Sequence, residues 1–228
     1  TGDFEFKPGA VMSNIVLADE INRTSPKTQA SLLEVMEEKQ VTVDGVTYKV
    51  PRPFMVLATQ NPVEYLGTYP LPEAQLDRFT LKISIGYPSP DDESRILTRF
   101  KVDNPLASLP PVADGQYILQ LQETVKKVYV DESLNHYIVD ITDATRKNPD
   151  VLLGASPRGS LCLYRASQAW AFYKGRDYVI PDDIKKMAVP VLSHRLILRQ
   201  EAKLKKIAAE DIVRSVLNNT NVPMVASK

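Results

Sequence analysis

The stretch NIVLADEINR, residues 14–23, decides how the first part of the chain folds. Residues 14–18 form a short apolar run without alternation, which predicts a strand buried on both faces of a parallel sheet. Asp19 and Glu20 leave that strand at its carboxyl end, where α/β sheets form their ligand crevice. Two acids there either begin an ordinary loop or work as a pair.

Outward from this strand the pattern stays regular. TSPKTQASLLEVMEEK (24–39) predicts a helix with Ser25 as N-cap, Pro26 at the first helical position and Leu32, Leu33, Val35 and Met36 as its apolar face. VTVDGVTYKV (41–50) predicts a hairpin on an Asp44-Gly45 type I′ turn, pairing Val43 with Val46 and Val41 with Tyr48. FMVLATQNP (54–62) is a second buried strand ending at Asn61, PEAQLDRF (72–79) a short helix, and TLKISIGY (80–87) a third strand. Upstream, TGDFEFKPG (1–9) reads as the second half of a hairpin, so the chain is expected to be a truncated piece.

Strand, helix, strand, short helix, strand is the pattern of an α/β domain with crossover helices. YPSPDD (87–92) breaks it, and everything beyond reads helical: about 91–100, 117–128, 131–147, 157–173, 181–198 and 209–218. Leu163, Ala166, Trp170 and Tyr173 follow one helical stripe, which marks Trp170 as a core residue. The chain therefore divides into an incomplete α/β domain over 1–88 and a helical domain over 89–228.

Composition narrows the functional classes. The 228 residues are 43% hydrophobic and 25% charged, with 28 basic and 28 acidic side chains, the values of an ordinary globular protein. Zero net charge gives no ground for broad nucleic-acid or membrane affinity. The single Cys162 excludes an internal disulfide and fits a reducing cytoplasm. His136 and His194 have no ligand spacing around them and read as structural or exposed. No apolar run approaches membrane-spanning length.

The chemistry-bearing candidates are few. Asp19 suits a Mg²⁺ ion held through water, and Glu20 suits polarising an attacking water. Asn61 reaches the same sheet edge if the two buried strands are neighbours, and its amide can orient a water or donate to phosphate without charge. Arg78 suits neutralising charge on a transferred phosphoryl group; the alternative is a surface pair with Asp77. In GASPRGS (154–160), Ser156 reads as N-cap and Pro157 as the first helical residue, which puts Arg158 in the first turn. A cation there opposes the helix dipole at a cost of about 0.3–1 kcal/mol, so it needs an anion: a phosphate, or equally a structural carboxylate.

Taken in order, NIVLADEINR, FMVLATQNP, LPEAQLDRF and GASPRG resemble the AAA+ ATPases, specifically the MoxR family, over essentially the whole chain. The resemblance implies a partial P-loop nucleoside-triphosphatase core, a parallel sheet with flanking helices, followed by an all-α lid. It implies Asp19 and Glu20 as the Walker B pair, Asn61 as sensor 1, Arg78 as an arginine finger for a neighbouring subunit, and Arg158 as sensor 2. By the same resemblance the cofactors are ATP and Mg²⁺, and the assembly is a cytoplasmic hexameric ring. The work is chaperone-like remodelling of partner complexes, with von Willebrand factor A-domain proteins among the partners. The chelatase-like ATPase subunits of the same branch are the alternative enzyme, and a non-catalytic interaction module the alternative outside that class. The family's Gly-rich phosphate loop GxxxxGK[ST] is nowhere in these residues, so the chain by itself is expected to be inactive.

Overall fold

In the computed structural model, residues 7–61, 69–100 and 105–224 are described. The half-hairpin expected over 1–9 falls largely outside them. Strand β1 (Ile15–Ala18) leads through a left-handed Glu20 and a 3₁₀ turn to helix α1 (Pro26–Glu38). Ser25 caps α1 as expected, its hydroxyl accepting from the Thr28 N–H at 3.3 Å, and a left-handed Lys39 closes it. β2 (Gln40–Val43) and β3 (Val46–Lys49) form the hairpin in the expected register, with positive φ at both Asp44 and Gly45 as a type I′ turn requires.

β4 (Met55–Ala58) then lies parallel to β1, with Ile15 opposite Met55 and Leu17 opposite Leu57. Only one face of this pair is covered. Ala18 and Ala58 pack on Ile21, Leu33 and Leu71, whereas Ile15, Leu17, Met55 and Leu57 remain 48–64% exposed on the other. The expectation of burial on both faces is therefore corrected: α1 covers one side, and no described element covers the other.

After helix α2 (Glu73–Leu76), the expected third strand is also corrected. Leu81, Ile83 and Ile85 alternate along the segment, but it stays extended and unladdered, Ile85 being 94% exposed. No described strand lies beside it. Its one described backbone tie is to the helical half, where the Lys82 N–H donates to the Pro190 carbonyl at 2.9 Å.

The helical half comprises α3 (Pro90–Arg99), α4 (Gly115–Val125), α5 (Glu132–Lys147), α6 (Pro157–Tyr173), α7 (Pro181–Leu192), α8 (Gln200–Leu204) and α9 (Ala209–Asn219). Its core draws Leu134, Tyr137 and Ile141 from α5, Leu163 from α6, Ile184 and Val191 from α7, and Val213 from α9. Each fully buried aliphatic side chain of this kind contributes about 1.5–3 kcal/mol. Helix α7 stops at Leu192 rather than running to 198: a 3₁₀ turn at Ser193–Arg195 and a short strand Ile197–Leu198 follow, paired with Val151–Leu153. The α6 stripe begins in the core and ends at the surface. Trp170 is half-buried rather than core, beside a 74% exposed Tyr173, with the ammonium groups of Lys174 and Lys186 over its ring.

Candidate active site

The parallel pairing of β1 and β4 brings Asp19, Glu20 and the 59–61 segment to one sheet edge. Thr59 joins them: its hydroxyl donates to Asp19 Oδ1 at 2.6 Å and accepts from the Glu20 N–H at 2.8 Å. Backbone bonds from Thr59 N–H to the Ala18 carbonyl and from Ile21 N–H to the Thr59 carbonyl, both 3.0 Å, lock the two strand ends. Glu20 sits at φ 47°, a left-handed conformation that costs a non-glycine residue about 1–3 kcal/mol and clusters at functional sites. Its carboxylate lies 3.2 Å from Arg23. From α1, buried Gln29 donates to the Ile21, Thr24 and Tyr69 carbonyls at 2.9–3.3 Å, and so holds the loop that follows the acids. Asn61 is half-buried two residues beyond Thr59, at the same edge.

A second cluster joins the two halves of the molecule. Glu37, on the last turn of α1, binds Arg78 through Oε2 at 3.3 Å and Arg158 through Oε1. The carboxylate alternative weighed for Arg158 is thus present, and the surface pair of Arg78 with Asp77 is not what forms. Asp77 faces the other way. Its Oδ2 accepts from the Ser156 hydroxyl at 2.9 Å, and its Oδ1 from Arg195 Nε at 2.9 Å. Ser156 stands at the N-cap position of α6, but its hydroxyl makes this interdomain bond instead of a cap.

Arg195, its side chain 1% exposed, is the centre of the junction. Its guanidinium also donates to the Asp77 and Phe79 carbonyls at 3.1 and 2.6 Å and to the Val191 carbonyl. His194 Nε2 lies 2.7 Å from Arg195 Nη1 and 3.0 Å from the Phe79 carbonyl. Burial first, and the Arg195 charge second, push the His194 imidazole down to about 4, so it is neutral near pH 7.

GASPRG acquires a physical reading from these contacts. A Cβ on Gly154 would sit 2.6 Å from the Arg146 backbone, and one on Gly159 would sit 3.1 Å from Arg195 Cδ. Arg146 Nε and Thr145 Oγ1 bind the two sides of the Ala155 peptide, at 2.8 Å to its carbonyl and 3.1 Å from its N–H. Sequence reading passed over Glu37, Thr59 and Arg195, and weighed Asp77 only as a surface partner of Arg78. Thr59 had a visible signal, a hydroxyl at the strand end opposite Asp19. The other three had none, because their partners lie far away in the chain.

Among the described residues no group of three or more His, Cys, Asp or Glu side chains is arranged to hold a metal. An exposed Asp19 beside Glu20 fits Mg²⁺ nonetheless, since that ion keeps most of its waters and takes one or two carboxylates together with phosphate. No described helix is long and apolar enough to cross a membrane.

Comparison with known proteins places the fold. Residues 1–81 match the family described as ATPase family associated with various cellular activities (AAA), and residues 143–216 match the AAA lid domain. The chain is 53% identical over 227 residues to the uncharacterized protein YeaC of Bacillus subtilis, covering 100% of this chain and 71% of that protein. It is 43% identical over 232 residues to Chaperone MoxR1 of Mycobacterium tuberculosis, covering 98% of this chain and 61% of MoxR1. A crystal structure of a presumed ATPase from Cytophaga hutchinsonii superposes with a TM-score of 0.93 at 42% identity, covering 98% of this chain and 70% of that one. More distant similarity, 26% identity over 221 residues, reaches a magnesium-chelatase subunit ChlI homolog of Methanocaldococcus jannaschii, with 91% of this chain and 57% of that protein covered. With an AAA+ fold, both of its characteristic domains matched and relatives of this similarity, the chain belongs to the MoxR family of AAA+ ATPases.

Proposed function

We propose that the full-length protein containing this chain hydrolyses ATP with Mg²⁺ in a ring, hexameric by family analogy, and uses the cycle to remodel partner protein complexes. The observation that carries the ATPase reading is the Thr59 hydroxyl, which ties Asp19 and Glu20 together at the edge of the parallel strands. Asp19 would hold Mg²⁺ through water, and the bound ion would supply charge neutralisation for the phosphates. Glu20 polarises the attacking water, with its backbone fixed by Thr59 and the carboxylate placed by its left-handed φ. Asn61 orients that water or a phosphate oxygen. Arg78 and Arg158 meet charge that develops on the phosphoryl group, Arg78 on a neighbouring subunit's nucleotide.

The division of labour between domains follows from these assignments. We place residues 1–88 in the ATPase core and 89–228 in the lid, so that Arg158 reports phosphate to the lid and hydrolysis moves one domain against the other. This sequence contains no Gly-rich phosphate loop, so the 228-residue chain by itself binds ATP weakly. The chaperone role rests on the likeness to MoxR1, and von Willebrand factor A-domain proteins are the partner class to test. The chelatase-type reading is second, supported by the more distant likeness to the ChlI homolog.

The deciding experiment is Glu20→Gln in the full-length protein. ATP should bind with turnover abolished, and brisk hydrolysis by that variant would remove Glu20 from the mechanism. Mixing Arg78→Ala with Glu20→Gln subunits should restore part of the activity if Arg78 serves its neighbour. Mixed rings that stay inactive would refute the trans assignment.

A further inference from the structure

We infer that Glu37 is a positioning residue for Arg78 and Arg158, a carboxylate that holds both guanidiniums at one point until a phosphate displaces it. The inference rests on the phosphate-binding reading of these two arginines and extends it to a residue with no assigned role.

Three observations carry it. First, each Glu37 oxygen takes a different arginine, Oε2 binding Arg78 and Oε1 binding Arg158, so two cations from two domains converge on one anion. Second, both ends of the contact are placed against their helix dipoles. Arg158 lies in the first turn of α6, and Glu37 lies in the last turn of α1, where a carboxylate meets the negative end. Neither charge helps its own helix, so the pair is explained by what each does for the other. Third, the convergence is built into the domain junction. Arg78 adjoins Asp77 and Arg158 is two residues from Ser156, and the Ser156 to Asp77 bond of 2.9 Å brings the two segments together.

The contact is also suited to release. The Glu37, Arg78 and Arg158 side chains are each 34–40% exposed, and an ion pair this wet is weak. Nucleotide phosphates carry several charges and more acceptor oxygens than one carboxylate, so each guanidinium exchanges Glu37 for a stronger bidentate partner on the nucleotide it serves. Glu37 thus holds two mutually repelling cations in place on one carboxylate, and yields when nucleotide arrives. With the carboxylate gone, the arginines diverge and must be gathered anew in each cycle.

The test is a mutant cycle in the full-length ring, read by steady-state ATP hydrolysis. Glu37→Gln should lower kcat by about tenfold, the scale of a misplaced catalytic group, with KM for ATP within about twofold. Glu37→Asp, which keeps the charge, should recover part of the loss. In the Arg78→Ala, Arg158→Ala background, Glu37→Gln should change the residual rate no further, because nothing is left to position. A loss of the same factor in both backgrounds would show that Glu37 acts through α1 alone and overturn the inference. So would a Glu37→Gln enzyme with unchanged kcat while Arg78→Ala is impaired. Full turnover in Arg78→Ala and Arg158→Ala alike would instead bring down the arginine assignments beneath it.

Discussion

Arg195 Nε donates to Asp77 Oδ1 at 2.9 Å with the guanidinium sealed from solvent, and this half-buried pair ties the lid to the strand-bearing half. Asp77 lies in the segment that carries Arg78, and Arg195 lies in the turn that ends α7. The same guanidinium serves backbone carbonyls of Asp77 and Phe79, so one side chain organises the segment leading to the extended residues 80–87. Removing one partner of a buried pair leaves the other charge uncompensated, at a cost of about 3–5 kcal/mol.

Asp77→Asn should therefore lower stability by about 3 kcal/mol, and Arg195→Lys should fare little better, because an ammonium cannot replace the planar fork. Differential scanning calorimetry of the full-length protein should show the lid and the core melting in separate transitions in either variant. A single transition at the wild-type temperature would mean that the pair does not couple the two halves.

His194 gives the junction a pH dependence with a definite sign. Its folded value of about 4 lies below the ordinary value of 6.5, so the unfolded chain binds more protons between those limits. Stability from this residue is complete above about pH 6.5 and is lost as pH falls toward 4, by something on the order of 3 kcal/mol. Denaturant midpoints followed from pH 7.5 to 4.5 should fall for wild type and flatten for His194→Asn. Equal slopes in the two proteins would show that other groups govern the acid limb.

How much of this could be read from the sequence depends on the range of each interaction. Ser25-Pro26 and Ser156-Pro157 start helices where expected, although only Ser25 caps with its side chain, and Asp44-Gly45 turns the hairpin, because helix starts and tight turns are settled within a few residues. The acid pair and Asn61 were legible because a strand end fixes which edge they reach. Glu37 was not, since its bond to Arg158 spans 121 positions and looks locally like any charge on a helix surface. Arg195 was not, since the apolar rhythm of 181–198 carried a helix across it, whereas α7 stops at Leu192 and a 3₁₀ turn carries Arg195. The expectation for residues 80–87 erred differently: the segment is extended, but a ladder needs a neighbour, and none of the described strands supplies one.

Gly159 offers the sharpest check on the junction, since it makes room for a side chain rather than for a turn. A methyl group there would meet Arg195 Cδ at 3.1 Å and Ala155 Cβ at 3.3 Å, with Leu192 close behind at 3.5 Å. Arg195 is gripped by Asp77 and by carbonyls from two segments, so it has little freedom to step aside. Gly159→Ala should gain about 1 kcal/mol from helix propensity but lose more through overpacking, typically about 1–3 kcal/mol. The sign of the sum depends on Arg195. In wild type the variant should be destabilised and its Arg158 displaced, lowering ATP turnover; in an Arg195→Ala background the same substitution should become neutral or stabilising. Thermal unfolding of the four proteins measures the coupling, and additive effects would show that Gly159 is there for some reason other than the passage of Arg195.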